Sequence, residues 1–234
     1  MTDFTLELLQ AINDWQRGGD HKQKLRRGDK LKQLAAALPE QFRTCSEICY
    51  RQEAHEKDRI WQLLADESLP ETIAAWTTDL SIARDFKNGV PPDGLRGVIF
   101  SLTPPSESVV INLIEIYSDP DFRSAIEQHK QGIIGFGDGI ERYDDTQREI
   151  VLELHKLGPE TIHFYGGYAS DRETLAALFF GGHEPNAEGL AFFDQLCLQA
   201  NIPESGAWWL SEVGTKNVLD RMAPHIERLR RLKS

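Results

Sequence analysis

Residues 97–114 have the sequence GVIFSLTPPSESVVINLI, and this segment decides the fold class. It contains two short apolar runs, 97–102 and 108–114, separated by the break at Pro104-Pro105. Short runs rich in β-branched and aromatic residues and bounded by turn residues predict β-strands. The centre of the chain therefore carries β-structure.

The segments on both sides of this centre are mostly helical in pattern. Apolar residues recur at helical spacing in 3–16, and 21–38 predicts a basic second helix that stops at Pro39. Further helices are predicted over 119–130, 171–180, 187–200 and 215–232. Strands are expected near 48–51, at 147–154 and at 161–165, the last two as partners. Helices, then strands, then helices indicate an α+β fold.

Composition describes an ordinary globular chain with an uneven charge. The 234 residues are 40% hydrophobic and 27% charged, with a net charge of -11. Residues 17–32 and 221–234 are nevertheless basic, so the rest is strongly acidic and repels phosphate backbones at long range. No apolar run of about 18 residues and no signal-peptide pattern occur, which predicts a cytoplasmic protein without membrane contact. The three cysteines lack metal-ligand spacing, and we expect no metal.

Three short motifs carry the chemistry. Tyr50-Arg51 follows Ile48-Cys49 and predicts an arginine at a strand end, with Arg43 as the alternative. Thr77-Thr78 precedes a predicted helix that extends to Phe86, so either threonine is also a candidate helix cap.

The third motif is Gln147-Arg148-Glu149, at the start of the strand predicted for 147–154. On a strand, Gln147 and Glu149 would point to one face while Arg148 points to the other. Glu153 shares that face and is the alternative carboxylate. Tyr143 lies in the segment that precedes this strand.

In this order, the motifs resemble the Arg…Ser/Thr…Gln-x-Glu signature of mono-ADP-ribosyltransferases over residues 47–165. The resemblance implies a split β-sandwich of two antiparallel sheets flanked by helices. The chain would then consist of N-terminal helices (1–40), a catalytic core (41–168) and a C-terminal helical lobe (169–234), and the resemblance extends to neither the first helices nor the lobe. In the lobe, Trp208-Trp209 is expected to be core.

The resemblance also implies roles for the residues. NAD would be the substrate, bound by Tyr50, Arg51, Thr77 and Thr78, with Glu149 as the catalytic carboxylate. An always-charged guanidinium suits the pyrophosphate, and a carboxylate suits the cationic sugar that forms when nicotinamide leaves. One departure is that Asp79 stands where the family has a third hydroxyl, so the threonine that meets the glutamate stays open.

The residue at 147 bears on the acceptor. Arginine-modifying members of the family carry glutamate there, whereas members with glutamine modify asparagine or guanine bases. Gln147 thus implies a non-arginine acceptor. The resemblance also implies that residues 139–146 form the target-recognition turn, with Tyr143 as an exposed aromatic that contacts the acceptor. The acidic body favours a protein acceptor over nucleic acid. The alternatives are an NAD glycohydrolase and a non-enzymatic interaction module. A toxin, effector or phage-defence role, with an antitoxin or other regulatory partner, would fit such a chain.

Overall fold

The computed structural model describes residues 3–69, 71–89, 91, 95–166, 172–200 and 209–233, and at 57, 87, 88 and 174 it describes the backbone only. In chain order the helices and strands are α1 (Leu6–Gln16), α2 (His21–Ala35), β1 (Cys49–Glu56), α3 (Lys57–Asp66), β2 (Ile73–Thr77), α4 (Leu80–Asp85), β3 (Leu95–Leu102), β4 (Val109–Asn112), α5 (Leu113–Ser118), α6 (Pro120–His129), α7 (Ile140–Tyr143), β5 (Glu149–Glu153), β6 (Ile162–Gly166), α8 (Arg172–Phe179), α9 (Ala187–Gln199) and α10 (Glu212–Arg231). The α+β class is confirmed.

The chain divides into two compact units, each built from several separate segments. Unit 1 contains 1–49, 69–79 and 102–155, and unit 2 contains 50–68, 80–101 and 156–234. Of the six-stranded sheet, unit 1 holds the group β4-β5-β2 and unit 2 the group β1-β3-β6. Two expectations from the sequence remain predictions: that the strands form two packed sheets, and that the chain divides into the segments 1–40, 41–168 and 169–234.

In unit 1, the helices α1, α2, α5 and α6 pack on the antiparallel strands β4, β5 and β2. Their buried side chains form one core, in which Phe4 contacts Phe42 and Phe122 edge to face at 5.4 and 5.2 Å between ring centroids. The β2–β5 register runs from Ile73 opposite Glu153 to Thr77 opposite Glu149. This register fixes which residues of the two strands share a face.

In unit 2, β3 pairs antiparallel with β6, and α10 packs against β6 and α3. Trp209 is 4% exposed and forms an isolated bridge with Gly166. A Cβ at Gly97 would lie 2.6 Å from Cη2 of Trp209, so the indole needs glycine at 97. The expected core role of Trp209 is therefore met, while Trp208 lies outside the described residues.

The strand predictions from residue 108 onwards need three corrections. The predicted strand 108–114 ends at Asn112, where the Asn112 side chain accepts the Glu115 N–H at 3.2 Å and caps α5. The predicted strand 147–154 begins only at Glu149. The segment predicted to pair with it, β6, pairs instead with β3, and β5 pairs with β2 and β4.

The predicted helices agree closely with the observed ones. The prediction for 3–16 becomes 6–16, that for 21–38 becomes 21–35, and that for 119–130 becomes 120–129. The C-terminal part has helices at 172–179, 187–199 and 212–231, where the sequence predicted 171–180, 187–200 and 215–232. Residue 171 lies outside the described part of the chain. Among the described residues no helix has the length and apolarity needed to cross a membrane.

Candidate functional site

Glu149 is a buried carboxylate at the first position of β5. Its side chain is 5% exposed, and Ile150, Val151 and Leu152 behind it are fully buried. Burying a carboxylate is costly unless hydrogen bonds or charges compensate it. The apolar strand residues thus anchor the acid at a fixed place, and its neighbours supply the compensation.

The indole of Trp15 binds this carboxylate. Its Nε1 donates to Glu149 Oε1 at 2.5 Å, from the last turn of α1, across 134 residues of sequence. Gly28 in α2 leaves room for the ring, since a Cβ there would lie 3.2 Å from Trp15 Cζ3. An indole N–H is a donor only, so it fixes one carboxylate oxygen without supplying a proton acceptor.

Thr77 is the threonine that lies opposite the glutamate. It is 8% exposed and lies directly opposite Glu149 in the β2–β5 register, so the two side chains share one face of the sheet. Its Oγ1 accepts the Asp79 N–H at 3.1 Å, which turns the chain out of β2 towards α4. The residue thus orders a turn and faces the acid.

Thr78 lies just beyond the end of β2. Its N–H donates to the Arg148 carbonyl oxygen at 3.2 Å, which extends the contact between the two chain segments. Its Oγ1 is buried and has no hydrogen-bond partner among the described residues. A buried hydroxyl without a partner is uncommon and calls for an explanation such as a bound ligand or water.

Gln147 occupies a turn rather than the strand. Arg148, between Gln147 and Glu149, has φ 43°, which breaks the strand alternation. The expectation that Gln147 and Glu149 share a strand face is therefore wrong. Gln147 is half-buried, and Arg148 with its positive φ separates it from the acid.

The turn before Glu149 is held by side chains from the helices. Asp144 has φ 44°, a second left-handed position without glycine, and such positions cost about 1–3 kcal/mol each. Arg123 Nη1 donates to Asp144 Oδ1 at 2.7 Å, and Gln16 Nε2 donates to the Asp144 carbonyl oxygen at 3.4 Å. These contacts maintain the strained conformation.

A buried tyrosine adjoins this turn. Tyr117 donates its hydroxyl proton to Gln16 Oε1 at 2.8 Å and is 2% exposed. Burial raises the pKa of Tyr117, and the charges of Glu149 and Asp144 raise it further. The tyrosine is therefore neutral at physiological pH and acts as a donor.

Two further side chains of this turn are partly buried, and Tyr143 differs from expectation in its environment. Tyr143 ends α7 and is half-buried, with the Arg142 guanidinium 5.3 Å from its ring centroid, so the prediction of an exposed aromatic is wrong. Asp145 has a buried Oδ1 with no hydrogen-bond partner among the described residues, and burial raises its pKa although Arg148 opposes this.

Arg51 lies in unit 2, within β1. The strand continues to Glu56, so Arg51 is its third residue and not the strand end that the sequence predicted. Its Nε donates to Glu53 Oε1 at 2.6 Å, and Glu53 Oε2 lies 2.7 Å from His55 Nε2. The three side chains are 17%, 8% and 12% exposed and line one strand face. Glu53 therefore holds the guanidinium in place.

Sequence reasoning missed Glu53 and His55, although a signal was present. Alternate residues of a strand share a face, so Arg51-x-Glu53-x-His55 predicts such a row once the strand is extended past Arg51. Burial raises the pKa of Glu53, but Arg51 and the His55 hydrogen bond more than reverse this and lower it to about 2. Tyr50, half-buried, has its ring 5.5 Å from the His163 ring.

The two alternative residues have structural partners. Glu153 ends β5, where its Oε2 lies 2.6 Å from Lys32 Nζ, with His155 further away at 3.8 Å. Arg43 Nε donates to the Leu38 carbonyl oxygen at 3.1 Å and closes the short turn after α2. Neither needs a ligand to explain its position.

The structure thus places Thr77, Thr78, Gln147 and Glu149 in unit 1, with Thr77 opposite Glu149, and it joins Arg51 to Glu53 and His55 in unit 2. No group of three or more metal-ligating side chains occurs in the described part of the chain. Comparison of the chain with family models, curated proteins and solved structures finds no match.

Proposed function

We propose that the chain is an NAD-dependent mono-ADP-ribosyltransferase that transfers ADP-ribose to a non-arginine acceptor on a macromolecule and releases nicotinamide. One observation carries the proposal: the buried Glu149 faces Thr77 across the β2–β5 pair. The resemblance to the Ser/Thr…Gln-x-Glu signature requires this pairing, although the two residues are far apart in sequence. The split β-sandwich of the family is part of the same proposal.

Glu149 stabilises the charge that develops during the reaction. Departure of nicotinamide leaves an oxocarbenium-like ribose, and a fixed carboxylate in a water-poor site stabilises it strongly. The Trp15 indole holds one carboxylate oxygen in place beside the proposed ribose site. The strand and the indole thus prepare the acid before the substrate arrives, so little reorganisation is needed.

The threonines orient the substrate and the acid. Thr77 shares the sheet face of Glu149, and Thr78 offers a buried hydroxyl that NAD would satisfy. The resemblance assigns the pyrophosphate to Arg51, since its guanidinium is always charged. Glu53 fixes the Nε side of that guanidinium.

Gln147 and Tyr143 are assigned to the acceptor. A neutral amide can hydrogen-bond another amide or a base edge, but it cannot deprotonate a guanidinium. The Arg123–Asp144 contact holds the turn between them. Because the body of the chain is acidic, we favour a protein acceptor over nucleic acid, and the cytoplasm remains the predicted location.

Labelled NAD incubated with the protein and a cell lysate tests the proposal, with Glu149→Gln as the matched inactive variant. Label that protease removes identifies a protein acceptor, and label that nuclease removes identifies a base. Nicotinamide release without macromolecular label would show a glycohydrolase and contradict the transferase. Absence of both label and release from the wild-type protein would indicate a non-enzymatic module.

A further inference from the structure

Two thiols lie in contact at the beginning of the strand that carries Arg51. Cys45 Sγ is 3.8 Å from Cys49 Sγ, and each lies 3.8 Å from the Glu47 carbonyl oxygen around which the chain folds. A disulfide needs the sulfurs at about 2.0 Å, so rotation and small backbone shifts must supply an approach of about 1.8 Å. Residues 44–48 have no regular secondary structure that would resist this.

We propose that Cys45 and Cys49 are a redox modification site that forms a reversible intramolecular disulfide with a hydroperoxide as oxidant. The pair is independent of the proposed transferase. The described residues give it no third metal-ligating side chain, so a cysteine-based metal site does not explain the contact. The third cysteine, Cys197, belongs to a separate buried cluster in unit 2.

The two thiols differ in their surroundings, and this difference orders the chemistry. Cys45 is partly exposed, whereas Cys49 is fully buried as the first residue of β1. Burial, the neighbouring Cys45 and the Glu47 charge all raise the pKa of Cys49. Cys45 is therefore the thiol that a hydroperoxide reaches and oxidises first.

The reaction balances in two steps. The hydroperoxide ROOH transfers one oxygen to the Cys45 sulfur, giving a sulfenic acid and ROH. The Cys49 sulfur then attacks the sulfenic sulfur; the S–O bond breaks, and the departing hydroxyl takes up the thiol proton as water. Two thiols are oxidised by two electrons, and the hydroperoxide is reduced by two. A dithiol reverses the bond by exchange.

The bond would close a five-residue loop at the entry to β1. Asn112 Nδ2 donates to the Thr44 carbonyl oxygen at 2.8 Å, which fixes the segment on the side of Cys45. Cys49 lies two residues before Arg51 on the same strand face. In a reducing compartment a bond of this kind is transient, which suits redox sensing rather than structural support.

Peptide mapping of the full chain tests the site directly. The tryptic peptide 44–51 (TCSEICYR) contains both cysteines, and Cys197 falls in a different peptide. After treatment with hydrogen peroxide, denaturation and alkylation, we expect this peptide to have lost two hydrogens and to carry no alkyl group. Treatment with dithiothreitol should restore both alkylation sites.

Two variants control the experiment. Cys197→Ser should leave the bridge unchanged, and Cys45→Ser should abolish it while Cys49 remains alkylatable after denaturation. The proposal is overturned if peptide 44–51 of the wild-type protein keeps two alkylatable thiols after peroxide. It is equally overturned if the peptide gains oxygen atoms, or if the product is a bond between two chains.

Discussion

Replacement of Glu53 by glutamine should remove a measurable part of the acid sensitivity of folding. The pKa of this carboxyl falls from 4.5 to about 2 in the folded chain: burial opposes the fall, and Arg51 and His55 produce it. Because the folded pKa is the lower one, the contribution to stability is complete above about pH 5 and is lost as the pH falls towards 2. At about 1.4 kcal/mol per pKa unit, the whole contribution is about 3 kcal/mol.

Urea denaturation at a series of pH values measures this contribution. Between pH 6 and pH 3 the wild-type free energy of unfolding should fall by about 2 kcal/mol more than that of Glu53→Gln. Glu56→Gln is the matched control, since Glu56 ends the same strand with an exposed side chain. Equal pH slopes for the wild-type protein and Glu53→Gln would refute the buried Arg51–Glu53–His55 row.

Three further changes test unit 1. Trp15→Phe should lower the free energy of unfolding by about 1.5–3 kcal/mol, because the hydrogen bond to Glu149 is lost. The same substitution should cost less stability in a Glu149→Gln background. An equal cost in both backgrounds would contradict the charge-assisted bond. Asn13→Ala removes the acceptor of the Ile140 N–H and two donated bonds to the carbonyl oxygens of residues 134 and 135. We expect urea denaturation to show a free energy of unfolding lower by about 3 kcal/mol, and the Ile140 amide to exchange its hydrogen faster. An unchanged exchange rate would contradict the role of Asn13. Gln147→Glu should allow the transfer of label from NAD to a free guanidinium compound. If that compound stays unlabelled, residue 147 does not determine the acceptor.

Helices could be predicted from the sequence because their signals are local. Apolar spacing and breaks such as Gly18-Gly19 and Pro39 locate α1 and α2 within a few residues. The change from β4 to α5 was also encoded locally. Asn112 followed three residues later by Glu115 is an N-terminal capping pattern, but the apolar run around it favoured a longer strand.

The start of β5 could not be predicted, because it depends on backbone conformation. Arg148 has a left-handed φ that arginine disfavours, and only tertiary contacts such as Arg123–Asp144 maintain the turn before it. The pairing of β6 with β3 rather than β5 is likewise a choice among apolar strands with similar patterns.

The candidate site also combines residues that local sequence patterns predict with contacts that only the folded chain creates. Glu149 and the threonine pair followed from a motif, and the structure adds that Thr77 is the one opposite the acid. The Trp15 contact spans 134 residues, and nothing in the helical pattern of α1 distinguishes this indole from a core residue. Glu53 followed from alternation along β1, but only if the strand was known to continue past Arg51.

Nicotinamide release from NAD by two variants of one strand tests the central claim most directly. Glu149 and Glu153 are the same residue type on the same face of β5, but one faces Thr77 and the other pairs with Lys32. We expect Glu149→Gln to lower the rate by about 100-fold or more, and Glu153→Gln to retain it. Release at the wild-type rate by a folded Glu149→Gln protein would contradict the assignment.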